Sequence, residues 1–243
     1  MTPPLVYSDE VRDPRSLFVE RVASGRSFID IGGLWGLIGE QVSTAHRAGA
    51  TDLALLDVAP ADSLGWRQFE DRMARLGIDG VECISTDFMT ADLEPFDVVH
   101  SAGVLYHLPH PLHYLRRLRE LARHHLVLTT SVFPPGGIEH PGGTFDLPPG
   151  GALFVPALDD ATRVILENHW RGLVPPTVAP QTTSGALGIQ EPYDYTLDDY
   201  EPFWWLLTTT AVDALCEVCG FEILDHRYSK TYNGYTLLLG TGS

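Results

Sequence analysis

Cysteine is scarce in this sequence. The 243-residue chain holds three, Cys83, Cys216 and Cys219, an odd number too small for a disulfide framework, so a reducing cytoplasmic setting is expected. Cys216 and Cys219, in "CEVC", fall inside a helical pattern and read as buried free thiols. Lysine is scarcer still: Lys230 stands alone beside 15 arginines. Acidic residues outnumber basic ones 32 to 16, for a net charge of −16. Such a surface repels phosphate backbones, which argues against a nucleic-acid partner. No run of about 18 apolar residues is present, so no membrane span is expected. The opening "MTPPLVYSDEVRDPRS" lacks the basic start and apolar run of a secretory signal. What is present is core material. Apolar residues make up 44% and aromatics 10% of the chain, enough to exclude a disordered chain.

Strand and helix patterns alternate from residue 27 onward. "SFIDIG" reads as a buried strand, followed by a helical stripe of Trp35, Ile38, Val42 and Ala45. "LALLDV" (53–58), "VECIST" (81–86), "FDVVHSAG" (96–103) and "LVLTTSVF" (126–133) read as four further strands. Leu64, Phe69, Met73 and Leu76 mark one intervening helix, and "PLHYLRRLRELARHH" marks another. This alternation predicts an α/β fold with a doubly wound, mostly parallel sheet. From Pro134 to Phe203 the rhythm stops and proline and glycine dominate. A structureless loop of that length counts against the assignment unless it is functional, and it reads as a lid-like insertion over the C-terminal edge of the sheet. "TTTAVDALCEVCGF", "EILDHRYS" and "GYTLLLG" then supply a helix and two strands, which complete a seven-stranded sheet. The expected organisation is an N-terminal helical cap at 1–26, a Rossmann-like core at 27–133, the substrate-side insertion at 134–203 and the completion of the sheet at 204–243.

In open α/β sheets ligands sit beyond the carboxyl ends of the strands, where "DIGGLWG" falls. Gly32, Gly33 and Gly36 permit a tight turn and close backbone approach. A dinucleotide fingerprint needs a glycine where Leu34 stands, and Asp30 places a carboxylate beside the loop. That carboxylate disfavours pyrophosphate and suits a cation, such as the α-ammonium and sulfonium of S-adenosylmethionine. Asp57 ends the second strand, 25 residues after Gly32, where a carboxylate accepts ribose hydroxyls. Asp87, in "STDF", is positioned for the adenine amino group, with Phe88 near the ring face. Ser101 and Ala102, at the end of the fourth strand, flank the methionine portion.

"FIDIGGLWG", "LLDVAP", "STDF" and "FDVVHSAGVLYHLPHPLHYL" resemble the successive motifs of class I S-adenosylmethionine-dependent methyltransferases. The resemblance spans roughly residues 25–133 and 205–240. "GVLYH" with its proline turn and leucine-rich helix, and "FWWLLTTTAVDALCEVCGFEI", are most similar to the branch containing the tRNA wobble-uridine carboxymethyltransferases. The resemblance implies a Rossmann-like methyltransferase fold that binds S-adenosylmethionine. Gly33-Leu34 replaces that family's usual pair, and the basic surface needed to hold tRNA is missing.

Methyl transfer from a sulfonium is an in-line displacement that requires positioning and, for hydroxyl or carbon acceptors, removal of a proton. His107 in "LYHLPHP", just after the fourth strand, is the leading candidate base, with Tyr106 beside it and His140 of "GIEHPGG" as a second candidate. His107, His110 and His113 cannot share one helical face across Pro109 and Pro111, so no metal site is expected. Tyr195, Trp204 and Trp205, from an aromatic cluster that includes Tyr200 and Phe203, are candidate substrate walls. Tyr7, Arg12 and Arg21 are expected to cap the cofactor. The leading reading is methyl transfer to a small uncharged or cationic metabolite in specialised metabolism, with a homodimer as a possible assembly. The alternatives are intramolecular cyclisation of the sulfonium ligand with release of methylthioadenosine, a tRNA-modifying enzyme, and a non-catalytic subunit that retains the fold.

Overall fold

A computed structural model describes residues 13–34, 39–173, 195–197, 202–230 and 233–242. Its first five strands are β1 (Phe28–Ile31), β2 (Leu53–Asp57), β3 (Glu82–Ser85), β4 (Phe96–Ala102) and β5 (Ala122–Ser131). Short strands follow: β6 (Ile138–His140), β7 (Gly143–Phe145), β8 (Ala152–Phe154) and β9 (Trp205–Leu207). The chain closes with β10 (Glu222–Ser229) and β11 (Gly234–Gly240). The seven-stranded sheet has the order β10-β11-β5-β4-β1-β2-β3. β1 to β5 pair in parallel, and β11 runs antiparallel to both β5 and β10. The doubly wound, mostly parallel sheet expected from the sequence is the one observed. Its strand order reverses between β1 and β4, which opens a crevice at their carboxyl ends.

Two cores sandwich the sheet, because successive residues of each strand point to opposite faces. Phe28, Leu55, Val98 and Val127 pack against α1 (Pro14–Val22), α2 (Val42–Arg47) and α3 (Leu64–Leu76). Ile29, Leu56, Val99 and Leu126 pack against Tyr114, Leu115 and Leu118 of α4 (Pro111–Leu121). Beyond α5 (Asp160–Leu173), which belongs to the insertion, α6 (Thr209–Val218) joins the second face through Val212 and Cys216. Side-chain caps start these helices: the Asp13 carboxylate accepts from the Arg15 amide, Ser63 from Trp66 and Thr208 from Ala211. Gly77, left-handed at φ 67°, stops α3. All three cysteines are free, and the Cys216 thiol is pushed far up by burial. No helix among the described residues is long and apolar enough to cross a membrane.

Two local expectations differ from the structure, and one falls partly outside the described residues. The helix read over "PLHYLRRLRELARHH" ends at Leu121, because Ala122 turns extended and β5 starts there to pair with β4 and β11. The stripe from Trp35 to Ala45 yields a described helix only from Val42; residues 35–38 lie outside the described part. The insertion is also more regular than its composition implied. β6 and β7 form a hairpin, β8 pairs with β9, and α5 supplies 14 helical residues. The Asp159 carboxylate accepts from the Thr162 amide at 2.7 Å, which fixes the start of α5.

These elements enclose a third core of Phe133, Ile138, Val155, Leu166, Trp170, Phe203 and Leu206. One tie to the sheet is Asn233 in the β10–β11 turn. Its Nδ2 donates to His169 Nε2 at 2.8 Å, and its Oδ1 accepts from the Tyr228 hydroxyl at 2.9 Å. Trp170 is fully buried at the centre of this core. Trp170→Ala should cost about 3–5 kcal/mol locally. Hydrogen exchange followed by mass spectrometry is then expected to show α5 amides deprotected while β1 and β4 stay protected. Unchanged α5 protection would contradict a core centred on this residue.

Candidate functional site

The site is built where β1 stops. Gly32 is left-handed at φ 78°, and a Cβ there would lie 2.7 Å from Val104 Cγ2. A Cβ on Gly33 would lie 2.9 Å from the Asp30 carboxylate and 2.9 Å from Leu55 Cδ1. Both positions therefore exclude a side chain, and the loop folds back tightly across the tips of β1 and β2. Gly36 lies outside the described residues. Leu34, in place of a second fingerprint glycine, is buried in the core beside α3.

Asp30 and Asp57 lie on the same face of adjacent strands, since Asp30 pairs with Leu55 two residues before Asp57. Both carboxylates are buried. Asp57 Oδ2 accepts from the Leu34 amide at 3.1 Å, and Oδ1 from the Ala59 amide at 2.9 Å. Each carboxylate oxygen retains acceptor capacity beyond one such bond. Asp87 follows β3, its Oδ1 accepting from the Met89 amide at 2.8 Å. The preceding Thr86 amide donates to the Asp57 carbonyl, which ties this turn to the tip of β2.

Asp30 is also held inside the protein. Its Oδ1 lies 2.7 Å from His100 Nδ1, and its Oδ2 accepts from the Gln41 amide at 2.9 Å. Each oxygen thus accepts one bond from within the protein, as each oxygen of Asp57 does. His100, on β4 and absent from the sequence-based candidates, is almost fully buried. Its signal was a lone imidazole in the apolar run "FDVVHSA", which the pairing of β4 with β1 puts on the same sheet face as Asp30. Phe88 departs from expectation. It is buried in the core, with the Tyr114 ring 5.4 Å away edge-on and the Arg117 guanidinium 5.7 Å over its face.

The end of β4 carries the remaining candidates. Ser101 Oγ and the Tyr114 hydroxyl are 2.7 Å apart, so Ser101 is engaged by α4. Ala102 ends the strand, and Gly103, at φ 77°, turns the chain into a short 3-10 segment, Leu105–His107. Burial pushes the Tyr106 phenol up to about 12, despite the opposing effect of its hydrogen bond with Ser131. Near neutral pH it therefore carries its proton and can donate but not act as a base. The His107 Nδ1 lies 3.1 Å from the Pro202 carbonyl oxygen. A carbonyl only accepts, so Nδ1 holds the hydrogen, and in the neutral ring Nε2 is the basic nitrogen. Tyr106 and Phe203 pack against the imidazole at 4.2 Å and 5.1 Å between ring centres.

The other candidates serve local structure. His140 lies in the β6–β7 hairpin, where its Nδ1 accepts from the Gly142 amide at 3.2 Å. The Tyr195 hydroxyl donates to the Phe203 carbonyl, and its ring meets Trp204 edge-on at 5.1 Å. Trp204 is buried, and its amide donates to the Tyr106 carbonyl. The Trp205 Nε1–H donates to the Pro109 carbonyl at 3.3 Å. Trp204 and Trp205 thus join the insertion to the segment after β4. Tyr7, Arg12 and Tyr200 lie outside the described residues.

Arg21 is a correction. α1 starts beside the site, with Asp13 in electrostatic contact with His100. Its nine residues span about 13 Å and carry Arg21 toward the amino-terminal ends of β1 and β5, away from the strand tips that hold the glycine loop. There Arg21 pairs with Asp225 at 3.1 Å and lines a cavity of about 310 Å³ with Arg26 and His125. It cannot cap a ligand at the glycine loop. Among the described residues, no group of three or more histidine, cysteine or acidic side chains converges as a metal site would.

No protein-family model matches the chain. A tRNA U34 carboxymethyltransferase of Chromohalobacter salexigens is 33% identical over 135 residues, 46% of this chain and 36% of that protein. The matched stretch is thus well under half of that relative. The magnesium protoporphyrin IX methyltransferase of Synechocystis, solved with bound SAH, aligns with a TM-score of 0.53 at 14% identity. That alignment covers 98% of this chain and 91% of that one. The N-terminal domain of EvdMO1, in the presence of SAH and D-fucose, aligns at 0.52 and 19% identity, covering 98% and 90%. Strand order, the tight glycine turn at the reversal point and these structural alignments agree: the chain has the fold of the class I S-adenosylmethionine-dependent methyltransferases.

Proposed function

We propose that this chain binds S-adenosylmethionine across the tips of β4, β1, β2 and β3 and methylates a small, uncharged or cationic molecule of specialised metabolism. The observation that carries the reading is the pairing of two side-chain-free positions, Gly32 and Gly33, with buried carboxylates on β1 and β2 and a half-buried one, Asp87, just after β3. Asp57, held by the Leu34 and Ala59 amides, is rigid and has lone pairs for two ribose hydroxyls. Asp87 offers an acceptor to the adenine amino group, and the backbone of Ser101 and Ala102 borders the methionine portion. When bound, the sulfonium supplies a methyl group already activated for displacement. The protein then has to align an acceptor, exclude water and take up a proton. His107 is the group for the proton, through Nε2, because the Pro202 carbonyl holds the ring in one tautomer. The insertion, which joins the segment after β4 through Trp204 and Trp205, forms the acceptor side.

The tRNA U34 relative favours a second reading, an RNA acceptor. The net charge of −16 opposes it. Calorimetry with S-adenosylmethionine and S-adenosylhomocysteine is the deciding measurement. Saturable binding is expected for both, and no heat at millimolar ligand would end the proposal. A gel shift with bulk tRNA at low salt should be negative. Mass spectrometry of the protein with S-adenosylmethionine alone should show an intact ligand; released methylthioadenosine would transfer support to the cyclisation reading.

A further inference from the structure

The cavity of about 310 Å³ at the amino-terminal ends of β1 and β5 is lined by Arg21, Ser24, Arg26 and His125, each able to donate a hydrogen bond. Arg26 Nη1 lies 2.8 Å from His125 Nδ1 and donates to the Val22 carbonyl at 3.3 Å. A guanidinium cannot accept, so the neutral His125 ring carries its hydrogen on Nε2 and keeps one donor in reserve. Val22, Leu224 and Leu238 complete the lining with apolar surface. The positive charge gathered here is only partly answered. Arg21 shares the Asp225 carboxylate with Arg227, and the neighbouring Asp97 faces Arg123 and His124. Arg26 is half-buried, and its hydrogen bonds among the described residues go to a carbonyl and an imidazole, neither of them a counter-charge. Burial, and after it Arg26, His124 and Arg21, lower the His125 pKa from its ordinary value. In a chain of net charge −16, this is a basic pocket with unspent donors.

We propose that this cavity is a second ligand site, which takes a small organic anion. Its oxyanion head, a carboxylate or a phosphate ester, accepts from Arg26, Arg21 and the His125 Nε2–H, and its short hydrocarbon body covers Leu224 and Leu238. Three features select that chemistry. Guanidinium donors repel a cation and match two oxygens of one head group. The leucines favour carbon over a bare hydrated ion. The volume lies at the small end of ligand cavities, which suits a molecule of a few carbons. The carbonyls at the end of α1 would oppose an anion, and Arg26 covers one of them by donating to Val22. Because the cavity lies at the opposite ends of the strands from the glycine loop, its occupancy does not depend on the S-adenosylmethionine reading.

Calorimetry with n-butyl phosphate, butyrate and inorganic phosphate tests the site. Saturable binding is expected for at least one of the two organic anions, and the tighter of them identifies the head group. Inorganic phosphate should bind more weakly than that anion by about tenfold or more, since it leaves the leucines uncovered. No saturation by either organic anion at millimolar concentration, or equal affinity for inorganic phosphate, would overturn the proposal. Arg26→Met should weaken binding about 10- to 100-fold, and an unchanged affinity counts against the site. In the unmodified protein, an NMR titration of His125 answers independently of the variant's folding. A bound oxyanion offsets the guanidiniums, so the imidazole pKa should rise on saturation; an unmoved value would mean that the anion binds elsewhere. S-Adenosylhomocysteine should leave these affinities unchanged, whereas direct competition would place the anion at the glycine loop and remove the second site.

Discussion

His107→Gln is expected to lower kcat by about 10²- to 10⁴-fold, the usual share of a general base, while leaving the dissociation constant for S-adenosylhomocysteine unchanged. Glutamine can still donate to the Pro202 carbonyl that now receives the His107 Nδ1–H, so the short segment after β4 should keep its shape. It cannot take up a proton near neutral pH. Tyr106 offers no substitute, because its buried phenol holds its proton to about pH 12. His140 offers none either, since its Nδ1 is used by its own hairpin. The pH dependence should change with the rate: the rise in activity as an imidazole loses its proton should vanish in the variant. Single-turnover kinetics across pH, alongside calorimetry, reads both quantities. Undiminished turnover would mean that the acceptor needs no base or that another group provides it.

Asp57→Ala should weaken S-adenosylhomocysteine binding by about 100-fold or more. Hydrogen bonds to a charged group contribute about 1.5–3 kcal/mol each, and two ribose hydroxyls converge on one carboxylate in this reading. The same substitution strips the Leu34 and Ala59 amides of their acceptor, so the melting temperature should also fall. Asp57→Asn separates the two effects. Its carbonyl oxygen can keep one amide bond and much of the shape, yet it loses the charge and half the acceptor capacity. Its affinity is expected between that of the parent protein and that of the alanine variant. Affinity equal to the parent in both variants, measured well below their melting temperatures, would remove Asp57 from the site.

The sheet was legible because its strands are apolar runs with turn residues at their ends. "GYTLLLG" coincides with β11 residue for residue, and "EILDHRYS" with β10. Asp57 was legible for the same reason, as a carboxylate closing an apolar strand. α5 was hidden by the proline and glycine around it, although "LDDATRVILENHW" holds its own cap in Asp159 and its own stripe in Leu166 and Trp170. Arg21 was misplaced because the direction in which α1 crosses the sheet depends on tertiary packing, which spacing along the chain does not encode. Phe88 could equally have lined a pocket or filled a core, and contact with Tyr114 decided it. His100 required a parity argument across two strands, Asp30 on one and the imidazole on the other.

The third core separates two kinds of evolutionary freedom. In the proposed reading, residues that choose the acceptor are rooted in Phe133, Trp170, Phe203 and Leu206, and those that hold the nucleoside in β1, β2 and β3. Drift in the first set can redirect chemistry toward new molecules while the second stays constant, so a lineage built on this chain could diversify its products without reinventing its donor.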